Sequence, residues 1–171
     1  MEKSPDTVSS CIAAIEHGDL EARRTATRQL AETGEAALPA IIKMIQETQS
    51  NDVRWYGARA LSLIGRPAIG PLLSAMKSDK DPAFRKYAAA SLGAMGQQAV
   101  DPLIAAMKDA DPGMRGFLAR ALCRIGTPAI EPLKNAMNDV DPAFAECAAL
   151  TLWKMGEDGI LAITDIISKK D

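Results

Sequence analysis

The chain has 171 residues, 47% of them hydrophobic, 25% charged and only 4% aromatic, with a formal net charge of −2. That length and apolar content support a sizeable core, the scarcity of aromatics leans towards helix and away from an all-β sandwich, and the slight acidity gives no whole-surface attraction for nucleic acid or membrane. No stretch approaches the roughly 18–20 apolar residues of a membrane span, Met1 to Asp6 lack the basic and apolar regions of a signal peptide, and three distant cysteines (Cys11, Cys123, Cys147) predict no disulfide framework and a reducing cytoplasm as the simplest setting.

Residues 5–17 carry Val8, Ile12 and Ile15 with polar residues between them, which predicts one amphipathic helix. It is read as a half-repeat, residues 1–18, capping the first full repeat. From residue 19 the chain repeats itself. Asp81-Pro82, Asp111-Pro112 and Asp141-Pro142 recur every 30 residues, and Gly65, Gly96, Gly126 and Gly156 succeed one another at steps of 31, 30 and 30. Pro71-Leu72, Pro102-Leu103 and Pro132-Leu133 keep that spacing, and Met76, Met107 and Met137 close each repeat. Carrying the register backwards sets Gly34 opposite Gly65 and Arg23 opposite Arg54. Five repeats result, about 19–49, 50–80, 81–110, 111–140 and 141–171, expected to form one continuous domain.

Each repeat reads as two helices. The Asp is an N-cap and the following Pro suits the first helical position, where a missing N–H costs nothing. In the second repeat Val53, Gly57, Ala58, Ala60, Leu61 and Ile64 make one helical face, and Gly65 is expected to end the helix in the αL conformation. A second helix is expected from Pro71 to about Lys77. Neither helix can bury its apolar face alone, so the repeats must stack. In the fifth repeat the recurring Arg (Arg23, Arg54, Arg85, Arg115) becomes Ala145, and the small position Ser62/Gly93/Cys123 becomes Trp153. An indole there is expected to cover the exposed end and to mark a complete array, with Lys169-Lys170-Asp171 as a solubilising tail.

The unit D-P-x-x-R-x-x-A-A-x-x-L-G-x-x-G-x-x-A-x-x-P-L-x-x-A-M resembles the HEAT-like repeat first recognised in phycobilin lyases. In the third repeat Asp81, Pro82, Arg85, Ala88, Ala89, Leu92, Gly93, Gly96, Ala99, Pro102, Leu103, Ala106 and Met107 match it. The resemblance covers about residues 19–171 and implies an all-α fold, a right-handed α-solenoid of five helix-pair repeats behind an N-terminal capping helix. It also implies that the recurring Arg bonds an Asp or a carbonyl of a neighbouring repeat, as a ladder along the stack.

Function in such arrays resides where otherwise regular repeats differ. The outward positions of the first helices are Asp52, Trp55, Tyr56, Arg59 and Leu63 in repeat two, and Glu21, Arg24, Thr25, Arg28 and Glu32 in repeat one. Repeats three to five supply Lys86 and Tyr87, then Phe117, Arg120 and Arg124, then Glu146, Cys147 and Lys154. The resemblance implies that these positions share one face. Two columns stand out: Tyr56, Tyr87, Phe117 and Cys147, beside Trp55; and Arg28, Arg59 and Arg120, flanked by Arg24, Lys86, Arg124 and Lys154. Aromatic residues and Arg are enriched at interface hot spots. The expected partner-binding set is Trp55, Tyr56, Arg59, Lys86, Tyr87, Phe117, Arg120, Arg124 and Lys154, and the partner is a protein or peptide with acidic and apolar residues. The bland alternative is that the rings fill gaps between adjacent helices and the arginines are solvated. Gly70, Ser74, Lys77, Asp101, Ala105, Lys108, Asn135 and Asn138 read as ordinary solvated helix on the opposite face.

No catalytic, metal or cofactor site is predicted. His17 has no second histidine to join it. Deoxyhypusine hydroxylase has related repeats but needs several His-Glu pairs to hold iron, and this chain has no His-Glu dipeptide. There is no Cys-x-x-Cys and no GxxxxGK[ST]. The expectation is a non-catalytic scaffold. Nucleic-acid binding through the basic column is an alternative, and a bilin-lyase-like subunit is one suggested by the resemblance alone.

Overall fold

The computed structural model describes residues 5–168. The sequence start read for a signal peptide falls partly outside the described residues, at 1–4, and the solubilising tail at 169–171 falls wholly outside them. The described residues form helices and short turns, with no strand among them. No helix among them is long and apolar enough to cross a membrane. The chain divides into two compact units between Ser91 and Leu92.

The first unit opens with α1 (Pro5–His17), which packs chiefly on α2 (Leu20–Thr33) and buries Cys11 and Ile15. α3 (Leu38–Glu47) and α4 (Asn51–Ile64) come next, with α3 packed on α4 and α2 on α4. α5 (Arg66–Ser78) and α6 (Pro82–Ala94, up to Ser91 in this unit) complete it. Leu30, Ile41, Ile45, Leu61, Leu72 and Phe84 are fully buried. The second unit contains α7 (Val100–Lys108), α8 (Pro112–Ile125), α9 (Ile130–Ala136), α10 (Pro142–Lys154) and α11 (Glu157–Ser168). There α9 packs on α7, α10 on α8, and α11 on α9 and α10. Its core holds Leu92, Leu103, Met107, Leu118, Leu133 and Leu152.

The N-caps agree with the sequence. Asp111 and Asp141 accept from the backbone N–H groups of Met114 and Ala143, and Asp81 accepts from Ala83 and Phe84, so each carboxylate satisfies donors that the first turn leaves unpaired. Two helix-end expectations change. The glycines do have positive φ, but Gly34, Gly65 and Gly126 combine it with ψ of −137°, −135° and −140°. That is the mirror image of extended backbone rather than αL, a region that suits only glycine. It turns the chain sharply enough for the next helix to begin at once. α5 accordingly starts at Arg66, and Pro71 lies inside it. α7 and α9 likewise start before Pro102 and Pro132, whose missing N–H groups fall in the first turn, where none is needed.

The recurring arginines link the end of one helix pair to the start of the next. Arg115 Nε donates to the Met107 carbonyl at 3.1 Å and Nη2 to that of Lys108 at 2.9 Å, closing the end of α7. The same Nη2 lies 3.7 Å from Asp141 Oδ2. Arg85 Nε donates to the Met76 and Asp79 carbonyls at the end of α5. Arg54 pairs with Asp81 at 3.7 Å and Arg23 with Asp52 at 3.8 Å. A cation suits both the carbonyl-rich end of a helix and the capping carboxylate beyond it. At the other end of the chain Trp153 does not seal α10 and α11. The indole stands 62% exposed, and Ile160 and Ile167 are exposed with it.

Candidate functional site

In the first unit, α2 and α4 run side by side and enclose a groove of about 380 Å³. Helical spacing sets Glu21, Arg24, Thr27 and Arg28 along one wall and Trp55, Tyr56, Arg59 and Leu63 along the other. Glycine at 57 and alanine at 58 and 60 let α4 lie against its neighbours on its buried side, which turns Trp55 and Arg59 outward. Gly57 is tight: a Cβ there would come within 2.6–2.9 Å of Ile45 and Met44.

The groove has an apolar part and a cationic part. Trp55 is 54% exposed and meets the edge of Tyr56, ring centroids 4.9 Å apart and planes at 89°. Tyr56 is half-buried, with the Arg23 guanidinium 5.9 Å from its ring centre. Arg24 is held by Glu21 at 2.9 Å. Arg28 and Arg59 are exposed and form no ion pair among the described residues. The groove thus offers two uncommitted guanidinium groups beside an exposed indole.

The other expected site residues are spread over both units. In the first unit Lys86 is exposed, its ammonium 5.4 Å from the centre of the half-buried Tyr87 ring. In the second unit Arg120 lies 5.3 Å from the centre of the half-buried Phe117 ring, and Arg124 and Lys154 are exposed. Each of these rings is therefore only half open, with a cation against it. Cys147 is also half-buried. Its Sγ lies 3.6 Å from Sδ of the buried Met107, and burial pushes its thiol pKa up, away from thiolate chemistry. Burial raises Cys123 likewise. His17 is exposed beside Glu16. No cluster of metal-ligating side chains occurs among the described residues.

Arg24, Arg28, Thr27 and Leu63 line the groove but lie outside the expected partner-binding set. The available signal was the register: Arg28 aligns with Arg59, and Glu21, Arg24 and Leu63 occupy outward positions. The second unit carries a depression of about 350 Å³ on the face read as ordinary solvated helix, lined by Asp101, Ile104, Ala105, Lys108, Pro132, Asn135 and Phe144. Its cation is committed. Lys108 Nζ donates to Asp139 Oδ2 at 2.7 Å, which raises the lysine pKa.

Among solved structures, a chain in the complex of CpcE and CpcF of phycocyanin lyase from Nostoc sp. PCC7120 is similar at 22% identity and a TM-score of 0.46, the match covering 86% of this chain and 99% of that one. An engineered protein is similar at 21% identity and a TM-score of 0.36, over 95% of this chain and 85% of that one. No match was found among curated proteins. HEAT repeats match residues 38–108 and 100–167, most of the sequence, and the chain belongs to the HEAT-repeat family, all-helical proteins of the α-solenoid class.

Proposed function

We propose that this protein is a non-catalytic scaffold that captures a protein or peptide segment bearing acidic and apolar residues in the α2–α4 groove. The observation that carries this reading is the pairing of an exposed indole, Trp55, with two arginines, Arg28 and Arg59, that no described carboxylate neutralises. An apolar side chain docked on Trp55 and Leu63 would remove exposed hydrophobic surface from water, worth about 25 cal/mol per Å². A ligand carboxylate would meet planar donors suited to bidentate hydrogen bonds. The groove stands on two helices packed against each other, so little ordering is required on binding. Lys86 with Tyr87, and Phe117, Arg120, Arg124 and Lys154 in the second unit, belong to the same reading as further partner contacts.

Selection from a displayed random-peptide library tests it. Enriched peptides should combine Asp or Glu with an aromatic or aliphatic residue, and should lose binding to Trp55→Ala/Arg59→Glu. No enrichment, or equal binding to wild type and variant, would overturn the proposal.

A further inference from the structure

The repeat register shows what the last helix pair leaves uncovered. On α7, Val100 and Met107 are buried in the second unit, and on α3, Leu38 and Ile45 are buried in the first. Their counterparts on α11 are Ile160 and Ile167, and both are exposed. The same holds on the partner helix. Gly93 faces α8 so closely that a Cβ would lie 2.9 Å from Arg124 Cδ and 3.2 Å from the Ala121 carbonyl oxygen. Cys123 Sγ lies 3.7 Å from the Thr151 carbonyl oxygen of α10. The next residue in that column is Trp153. Trp153, Ile160 and Ile167 are between 46% and 62% exposed. An apolar face therefore stands open where each earlier pair in its unit meets a neighbour. α1 contrasts with it, exposing Asp6, Ser9, Ser10, Ala13 and His17.

Two substitutions make this face a poor seat for a helix arriving as α8 or α10 does. An indole occupies the position where Gly93 and Cys123 admit a neighbouring helix. Ala145 replaces the arginine that in Arg54 and Arg115 reaches a capping carboxylate, and in Arg23 the first-turn carboxylate of Asp52. The face nonetheless keeps its apolar residues, and charges of both signs flank it. Lys154 is exposed at the end of α10, and Glu157 and Asp158 are exposed at the start of α11. A patch with an apolar centre and adjacent opposite charges is complementary to itself under a two-fold axis.

We propose that the α10–α11 face is the interface of a homodimer, Trp153 packing against its own copy while Lys154 of each chain meets Glu157 and Asp158 of the other. Exposed apolar side chains gathered on one face mark association sites, and Trp is a characteristic anchor of such interfaces. The contact shares Lys154 with the further partner contacts of the scaffold reading but no residue with the α2–α4 groove, so Trp153→Glu tests the dimer and Trp55→Ala/Arg59→Glu the groove, and failure of one leaves the other standing.

Sedimentation equilibrium over a range of protein concentrations reads it directly. Wild type should associate to a dimer, and Trp153→Glu should raise the dissociation constant at least about thirtyfold, the scale of a hot-spot residue. Lys154→Glu and Glu157→Lys/Asp158→Lys should each weaken self-association, and an equimolar mixture of the two should restore it as a heterodimer. Circular dichroism and thermal unfolding of each variant would show whether the fold is retained. A wild type monomeric at all concentrations, dimerisation unaffected by Trp153→Glu in a folded variant, or a charge-swapped mixture no tighter than its components would each overturn the proposal.

Discussion

Nη2 of Arg54 lies 3.7 Å from Oδ2 of Asp81, the residue whose carboxylate caps α6. Arg54 is almost wholly buried, whereas Asp81 keeps contact with solvent. The guanidinium therefore depends on the carboxylate more than the reverse, and its Nε has no hydrogen-bond partner. Arg54→Ala removes both the pair and the packing of the side-chain stem, and should cost about 2–4 kcal/mol. Arg54→Met, which fills the space without the charge, should cost about half as much, because Asp81 keeps its two backbone donors. Urea denaturation of both variants measures the difference. An Arg54→Ala loss below about 0.5 kcal/mol, the range of an ordinary surface substitution, would remove the ladder from the stability argument.

Both residues were legible in the sequence because they recur at the repeat spacing, as were the helix pairs and the Asp caps, while the resemblance implied only that the arginine bonds an Asp or a carbonyl of a neighbouring repeat. What periodicity does not report is the exact turn between helices. The glycine column announces positive φ, yet only ψ decides whether the following helix starts at once or after a loop, and that is why α5 begins at Arg66 rather than Pro71. The groove was half legible for a similar reason. Outward positions follow from helical phase, which found Trp55 and Arg59. Phase found Arg24 and Arg28 as well, but that they face Trp55 and Arg59 across one groove needs the distance between two helices. Phase also places Cys147 beside Tyr87 and Phe117 without showing that its sulfur turns towards Met107.

Two glycines separate backbone strain from space. Gly126 has φ 79°, and a Cβ built on it meets no atom within 4 Å. Gly126→Ala should therefore cost about 1–3 kcal/mol from conformation alone. Gly159 is the reverse case. It lies within α11 at the position held by Ala37, Ala68, Ala99 and Ala129 in the other repeats, and a Cβ there would collide with the Leu152 carbonyl oxygen. Backbone cannot swing aside as a side chain can, so Gly159→Ala should cost more, about 2–4 kcal/mol, despite the better helix propensity of alanine. Thermal unfolding of the two variants orders them, and a Gly159→Ala protein at least as stable as wild type would contradict the close approach.

Asp139 supplies the pH dependence. Its carboxylate accepts from the Asp141 backbone N–H at 3.0 Å and from Lys108 Nζ at 2.7 Å, and those bonds, the backbone one first, hold its pKa below the ordinary carboxylate value. A depressed folded-state pKa means that the unfolded chain takes up the proton first as pH falls. The stabilisation is therefore complete above the unfolded value near 4 and disappears as pH drops through the lower folded value. Asp139→Asn should lower the melting temperature at pH 7, and the gap to wild type should close by about pH 2. A gap that stays constant across this range would assign the effect to packing rather than charge.

The groove makes a prediction that distinguishes a short acidic ligand from a polyanion. Arg28 and Arg59 are its two uncommitted charges, since Arg24 is engaged by Glu21. For a selected acidic peptide, Arg59→Gln should weaken binding about tenfold and Trp55→Ala by at least about thirtyfold, whereas Lys77→Gln, exposed on α5, should change it little. Two charges also set the salt response. Peptide affinity should fall by roughly tenfold or less between 50 and 200 mM salt, while a protein meeting 6–10 phosphates loses about 10³–10⁵ over that range. Fluorescence anisotropy with a labelled peptide and with labelled single-stranded DNA compares the two in one experiment. Tight DNA binding with a steep salt slope, abolished by Arg28→Gln/Arg59→Gln, would replace the peptide reading with a nucleic-acid one.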